Sequence, residues 1–408
     1  MRRAGPAADP LHRRSLPFRQ HGVGIQLEVL EGVFAGAGVD AGTRQLLRRL
    51  GADSHAGART VLDLGCGYGP LGLWLAAARP DRTLVAVDRD ARALEATVLG
   101  AAANGLGDRV TAVGSLGYDS VGPDPFDLVV SNIPAKVGPA ALAHLVLDAC
   151  WHLTEQGSVA IVVVDRLAGA VRALLDEPAV VVEAVHPTAS YTVFEYRFAG
   201  RPLAASAEPS FDRGLYQRAT ARFGAAGLAW SAAASFSIPE FDSLAHGTIA
   251  AVEALQEALA GPSGRGPEPV VVVGAGQGHV ALALRAAGVD RPIRLVDRDL
   301  LALRTAAANL GEAGGVELRH VARPGAGDVG GACLAVVELP EREPVAITAA
   351  VLGGALAGLG AGGLVLHGRA ADLARVVELL RRHGIRLEVA GRHKVRGHGA
   401  IRARIRDR

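Results

Sequence analysis

The stretch Asp63-Leu64-Gly65-Cys66-Gly67-Tyr68-Gly69-Pro70-Leu71-Gly72 decides the fold. A short apolar run at 60–64 enters it, a helical pattern at 71–78 leaves it, and its last six residues satisfy GxGxxG. Asp88 closes the next apolar run, at the distance a ribose-binding acid needs. Glycines in such a turn let the backbone approach a ligand, and the carboxylate can accept hydrogen bonds from both ribose hydroxyls. Further apolar runs at 83–87, 110–113, 127–131 and 158–164 alternate with helical spacing, as in Leu142, Leu145, Val146, Ala149 and Leu153. The last run, 190–198, alternates Thr192, Phe194, Tyr196 and Phe198 with their neighbours and predicts a final, antiparallel strand on a mostly parallel sheet. The fold class is α/β, Rossmann-like.

The same text recurs. Gly65-Cys66-Gly67-Tyr68-Gly69 and Asp88-Arg89-Asp90 return as Gly274-Ala275-Gly276-Gln277-Gly278 and Asp297-Arg298-Asp299, both 209 positions later. Upstream, Asp40-Ala41-Gly42-Thr43 is echoed within Asp242-Ser243-Leu244-Ala245-His246-Gly247-Thr248. Two homologous domains in tandem follow. The expected boundaries are a loosely ordered arm over 1–22, a first domain over 23–198, a linker over 199–235 rich in Ala, Gly, Pro and Arg, and a second domain over 236–408.

Composition narrows the classes. In 408 residues, half of them hydrophobic, there is material for two cores. No apolar run is long enough for a membrane span and the start lacks a secretory signal, so a cytoplasmic protein is expected. Cys66, Cys150 and Cys333 form no CxxC pair, which argues against a disulfide framework or a structural metal. The net charge is only +2; the tail carrying Arg396, Arg402, Arg404, Arg406 and Arg408 reads as solvated strand charge, with a phosphate-contacting patch as the rival.

Two residues separate ligand classes that share GxGxxG. Asp63 sits where a carboxylate repels a dinucleotide pyrophosphate but attracts the ammonium group of S-adenosylmethionine. Asn132, in Ser131-Asn132-Ile133-Pro134-Ala135, stands at the end of the fourth strand, where ligands of such sheets bind. An amide oxygen there, with a neighbouring backbone carbonyl on a turn stiffened by Pro134, can accept both hydrogens of an exocyclic amine and aim its nitrogen at a methyl carbon. Asn104 reads as either a helix cap or a contact to adenine, and Ser115 offers a hydroxyl on the adenine side.

These motifs, with Gly32-Val33-Phe34 and Asp40-Ala41-Gly42-Thr43, resemble the small-domain methyltransferases that include bacterial ribosomal RNA guanine-N2 enzymes. The resemblance spans about 32–198. It implies that Asp63, Gly65, Gly67, Gly69, Asp88, Asn104 and Ser115 bind S-adenosylmethionine, that Asn132 and Pro134 serve catalysis, and that the partner is ribosomal RNA, with a small-molecule amine or a non-catalytic scaffold as alternatives. Members usually carry two prolines and an aromatic after the asparagine, whereas this chain has Ile133 and Ala135, which leaves Tyr191 or another aromatic to stack on a base. In the second half Val272 stands for Asp63, and Glu338-Leu339-Pro340-Glu341 for Asn132 to Ala135. That half reads as a degenerate copy.

Overall fold

The computed structural model describes residues 9–51, 55–201, 204, 206–261, 266–311, 314–360 and 362–406. They form two compact units, one over His12–Tyr216 and one over Gln217–Arg408 together with the residues up to Leu11.

The first unit opens with a hairpin, β1 (His12–Gln20) and β2 (Val23–Leu30), followed by α1 (Ala41–Leu50). Then come β3 (Thr60–Leu64), α2 (Pro70–Ala78), β4 (Thr83–Asp88), α3 (Ala91–Ala103), β5 (Val110–Gly114), β6 (Phe126–Asn132) and α4 (Pro139–Leu147). The unit ends with β7 (Leu153–Val164), α5 (Asp165–Leu175), β8 (Val180–Pro187) and β9 (Tyr191–Phe198). The sheet order is β5-β4-β3-β6-β7-β9-β8, with β9 antiparallel to both of its neighbours. Strands β3 and β6 are buried on both faces, which is why they read as unbroken apolar runs. The chain reverses its direction across the sheet between β3 and β6, so a crevice opens beyond their carboxyl ends.

The second unit repeats the plan. A hairpin, β10 (Gln217–Ala225) and β11 (Leu228–Ser235), precedes α6 (His246–Ala260), β12 (Val270–Val273), α7 (His279–Ala286), β13 (Ile293–Asp297) and α8 (Leu300–Leu310). Next are β14 (Val316–His320), α9 (Ala326–Val329), β15 (Leu334–Glu338), α10 (Val345–Leu356), β16 (Gly363–Arg369), α11 (Ala370–Arg382), β17 (Leu387–Val395) and β18 (His398–Ile405). Its order, β14-β13-β12-β15-β16-β18-β17, is that of the first sheet. Both are mostly parallel Rossmann-like sheets in tandem, as expected.

The boundaries need correction. Of the expected arm, residues 1–8 lie outside the described residues, and His12–Gln20 is a strand paired with β2. Most of the expected linker is the hairpin β10–β11. Both hairpins turn on two residues at positive φ, His21-Gly22 at 45° and 81° and Ala226-Gly227 at 50° and 79°. That turn suits the twist of paired strands. Neither turn carries the Asn-Gly signal, and β10 is built largely of Ala, Gly and Arg, so no alternation betrays it. The arginine-rich tail is the hairpin β17–β18, where Arg402 pairs with Glu257 at 3.0 Å and Arg406 with Glu388 at 3.5 Å; Arg408 lies outside the described residues.

Candidate active site

The glycine loop is tied to β4 through its backbone. The Gly65 and Cys66 amides donate to the Val87 carbonyl at 2.8 and 3.0 Å, and the Gly67 amide donates to Asp88 Oδ2 at 2.9 Å. Asp88 Oδ1 accepts from the Asp90 amide at 2.9 Å. Burial pushes the Asp88 carboxyl above its ordinary range, against the pull of these two N–H groups. Gly65 and Gly67 hold φ of 77° and 57°, and no atom lies within 4 Å of where a Cβ would stand on either. Gly69 is different: a Cβ there would meet Leu73 at 2.7 Å, so it serves packing against α2.

Asp63 is fully buried at the floor of this loop. Its Oδ2 accepts from the Gly72 amide at 2.8 Å, while Oδ1 is buried without a hydrogen-bond partner. Burial raises its carboxyl to about 7, so near neutral pH a nearby cation decides its ionisation.

At the end of β6, Ser131 Oγ donates to the Leu64 carbonyl at 2.6 Å and locks β6 to β3. Asn132 Nδ2 donates to Asp40 Oδ2 and to Thr43 Oγ1, each at 3.0 Å. An ionised carboxylate only accepts, so the amide nitrogen must face Asp40 and the amide oxygen is turned the other way. Asp40 is itself the N-cap of α1, accepting from the Gly42 amide at 2.9 Å. The segment that follows, with Pro134 exposed on it, is held by Arg166, which donates to the Ala135 carbonyl at 3.0 Å.

Two expected cofactor residues carry hydrogen bonds within the protein. Asn104 Nδ2 donates to the carbonyls of Gln26 at 2.6 Å and Gly100 at 2.7 Å, and its Oδ1 accepts from the Gln26 amide at 2.8 Å. Both of its N–H groups are spent on clamping β2 to α3. Ser115 Oγ donates to the Gly117 carbonyl at 2.9 Å and accepts from the Ser120 amide at 3.0 Å, so it closes a buried turn. Conversely, Asp40 and Thr43 belong to the site although the sequence offered them only as a motif. So does Tyr191, whose hydroxyl donates to Asp40 Oδ1 at 3.5 Å.

The second unit keeps the frame and changes the groups. Asp297 accepts from the Ala275 amide at 2.7 Å and the Asp299 amide at 2.9 Å, and Asn309 clamps Ala233 through both backbone groups at 2.8 and 2.9 Å. Val272 replaces Asp63 and is buried. Glu338 takes the place of Asn132, and its side chain crowds Gly274: a Cβ on that glycine would lie 2.8 Å from Glu338 Cβ and 3.0 Å from Oε2. Glu338 reaches solvent, yet protein surrounds it. That enclosure, then Glu240, Asp297 and Glu341, push its carboxyl up to about 8.

Comparison with known proteins accords with this geometry. Residues 24–195 match the family model described as the methyltransferase small domain. An uncharacterised protein, YbxB of Bacillus subtilis, is 31% identical over 132 residues, 32% of this chain and 65% of that protein. Ribosomal RNA small subunit methyltransferase C of Salmonella choleraesuis is 36% identical over 143 residues, 34% of this chain and 40% of that protein. The chain thus spans about two thirds of the first relative's length and about two fifths of the second's. Among solved structures, the T. thermophilus 16S rRNA N2 G1207 methyltransferase, in complex with AdoMet and guanosine, aligns over 98% of this chain and all of its own. Its TM-score is 0.66 at 19% identity, a likeness of fold. Residues 24–195 thus match the methyltransferase small-domain model, and within them the site is built at the carboxyl ends of β3, β4 and β6.

Proposed function

We propose that the first unit transfers a methyl group from S-adenosylmethionine to an exocyclic amine nitrogen, with N2 of guanine in ribosomal RNA as the substrate. The observation that carries this reading is the Asn132 amide, fixed by Asp40 and Thr43 so that its oxygen is an oriented acceptor.

The residues present fit the donor. Open space over Gly65 and Gly67 admits a ligand against the backbone, Asp88 presents a carboxylate beside it for a ribose, and the unpartnered Asp63 Oδ1 suits an ammonium group. When bound, the donor supplies a methyl group on a sulfonium centre, a good leaving group. The protein's part is then positioning. Asn132 Oδ1 accepts one amine hydrogen and a neighbouring backbone carbonyl the other, turning the nitrogen lone pair out of conjugation with the ring. The rigid network behind Asn132 keeps that oxygen from rotating away. Ribosomal RNA is favoured as substrate class by the names of the relatives matched over this region.

The test is transfer of labelled methyl from S-adenosylmethionine to total RNA and ribosomal subunits. Asn132→Ala is expected to lower kcat about 100-fold or more while donor binding is kept. Undiminished transfer by this variant would overturn the assignment. Donor binding with no label in any RNA would move the substrate to small amines.

A further inference from the structure

We propose that Tyr191 is the platform on which the flat substrate lies while Asn132 holds its amine; this rests on the amine-methylation reading above. Three observations converge on Tyr191. First, it shares a carboxylate with the amine holder: Asp40 Oδ2 accepts from Asn132 and Asp40 Oδ1 from the Tyr191 hydroxyl. Both side chains therefore lie on the α1 side of the sheet, at its carboxyl end. Second, room is made for the ring. A Cβ on Gly42 would stand 2.9 Å from Tyr191 Cδ1 and Cε1, so any larger residue at that position of α1 would displace it. The ring is half-buried and keeps surface toward solvent.

Third, the second unit shows what the neighbouring position can reach. Ile133 donates to the Val162 carbonyl as Leu339 donates to that of His367, which sets Ala135 equivalent to Glu341. Two residues on, Val164 pairs with Tyr191 as Arg369 pairs with His398, which sets Tyr191 equivalent to His398. In the second unit these two side chains meet, His398 Nε2 and Glu341 Oε1 lying 3.0 Å apart. In the first unit the same pair is a phenol ring and a methyl group. The methyl is too short to cover the ring as Glu341 covers His398, which leaves a flat apolar surface uncovered next to an oriented amide oxygen. Flat heteroaromatic rings bind such surfaces by stacking, worth about 1–3 kcal/mol per base, or roughly 5- to 150-fold. Burial and the adjacent Asp40 hold the phenol's pKa above its ordinary value, so the platform is a neutral ring across the physiological range.

The experiment compares full-length wild type, Y191A, Y191L, Y191F and the double variant Y191A/A135F, with kcat and KM for RNA and donor affinity by calorimetry. Y191A is expected to lower kcat/KM for RNA about 10- to 100-fold, mostly through KM, with donor affinity unchanged. Y191L fills the strand position without a flat ring and is expected to stay as impaired as Y191A, whereas Y191F keeps the ring and is expected to retain most activity. Phe at 135, placed on the other side of the same gap, is expected to recover at least tenfold in the Y191A background. Y191A or Y191L within threefold of wild type overturns the platform. Wild-type protein that labels no RNA and no guanosine defeats the parent reading, and this proposal with it.

Discussion

In the first unit the space over the glycine loop is open and the Asn132 amide nitrogen is held by Asp40 and Thr43; in the second, Glu338 leans over Gly274. The difference follows from hydrogen-bonding capacity. An amide can donate to a carboxylate and hydroxyl at the start of α1. Glu338 has no such donor when ionised, and the carboxylate at the start of α6, Glu240, already accepts from Thr248 Oγ1 at 2.9 Å and from the Ala245 amide at 3.0 Å. Glu338 turns the other way, over Gly274, into the space a ligand would need. Val272 completes the change, because it removes the buried carboxylate and with it the cost of desolvating one. The second unit has exchanged a buried, titratable floor for an apolar one.

The sharpest way to break this comparison is to neutralise the floor of the first unit. Asp63→Asn is expected to weaken donor binding about 100-fold at pH 8, the scale of a lost buried charge pair. The wild type should show the sign of the titration: a cation favours ionised Asp63, whose carboxyl is raised to about 7, so donor affinity climbs as pH rises through 7. Calorimetry from pH 6 to 8.5 reads both effects, and a flat wild-type profile would remove Asp63 from the donor site.

A second test sharpens what the units share. Asn104→Ala and Asn309→Ala each release a hairpin from a helix and are expected to cost about 1–3 kcal/mol of stability, with similar values in the two units. Denaturant titration measures this; Asn104→Ala is expected to leave donor affinity within twofold, since its amide hydrogens never face the site.

The smallest effect is expected from Glu338→Gln. Its carboxyl rises from an ordinary 4.5 to about 8, so the folded state holds a proton that the unfolded chain releases. The stability this confers is full below 4.5 and is lost as pH rises through 8. The variant should match wild type near pH 4 and gain a few degrees in Tm over it by pH 9. Equal melting at both pH values would show that Glu338 is not enclosed.

Much of the sheet was legible because buried parallel strands are written as short apolar runs, and β3 begins and ends where its run does. The hairpins were not, since β10 is made largely of small and charged residues, and the contacts that seat its hairpin on α7 and α8 are made by β11. At the site, Asp63, Asp88 and Asn132 stood out by type and position. Asn104 and Ser115 stood at plausible positions too, but position does not reveal a partner: the Gln26 backbone that takes Asn104 lies 78 residues away. The same blindness hid Asp40, which reaches Asn132 across 92 positions.

The paired asparagine clamps have one more consequence. From Asp90 to Asn104 the chain runs fourteen positions, and from Asp299 to Asn309 only ten, yet each asparagine grips its hairpin. Four residues is close to one full turn of helix, but the helices themselves differ by only two residues, thirteen in α3 against eleven in α8, and a Cβ on Gly69 would meet Thr97 where one on Gly278 would meet Ala306, 209 positions later in each case. Asn309 therefore stands where the first unit has Gly100, and the same grip on the hairpin has been built from successive turns of equivalent helices.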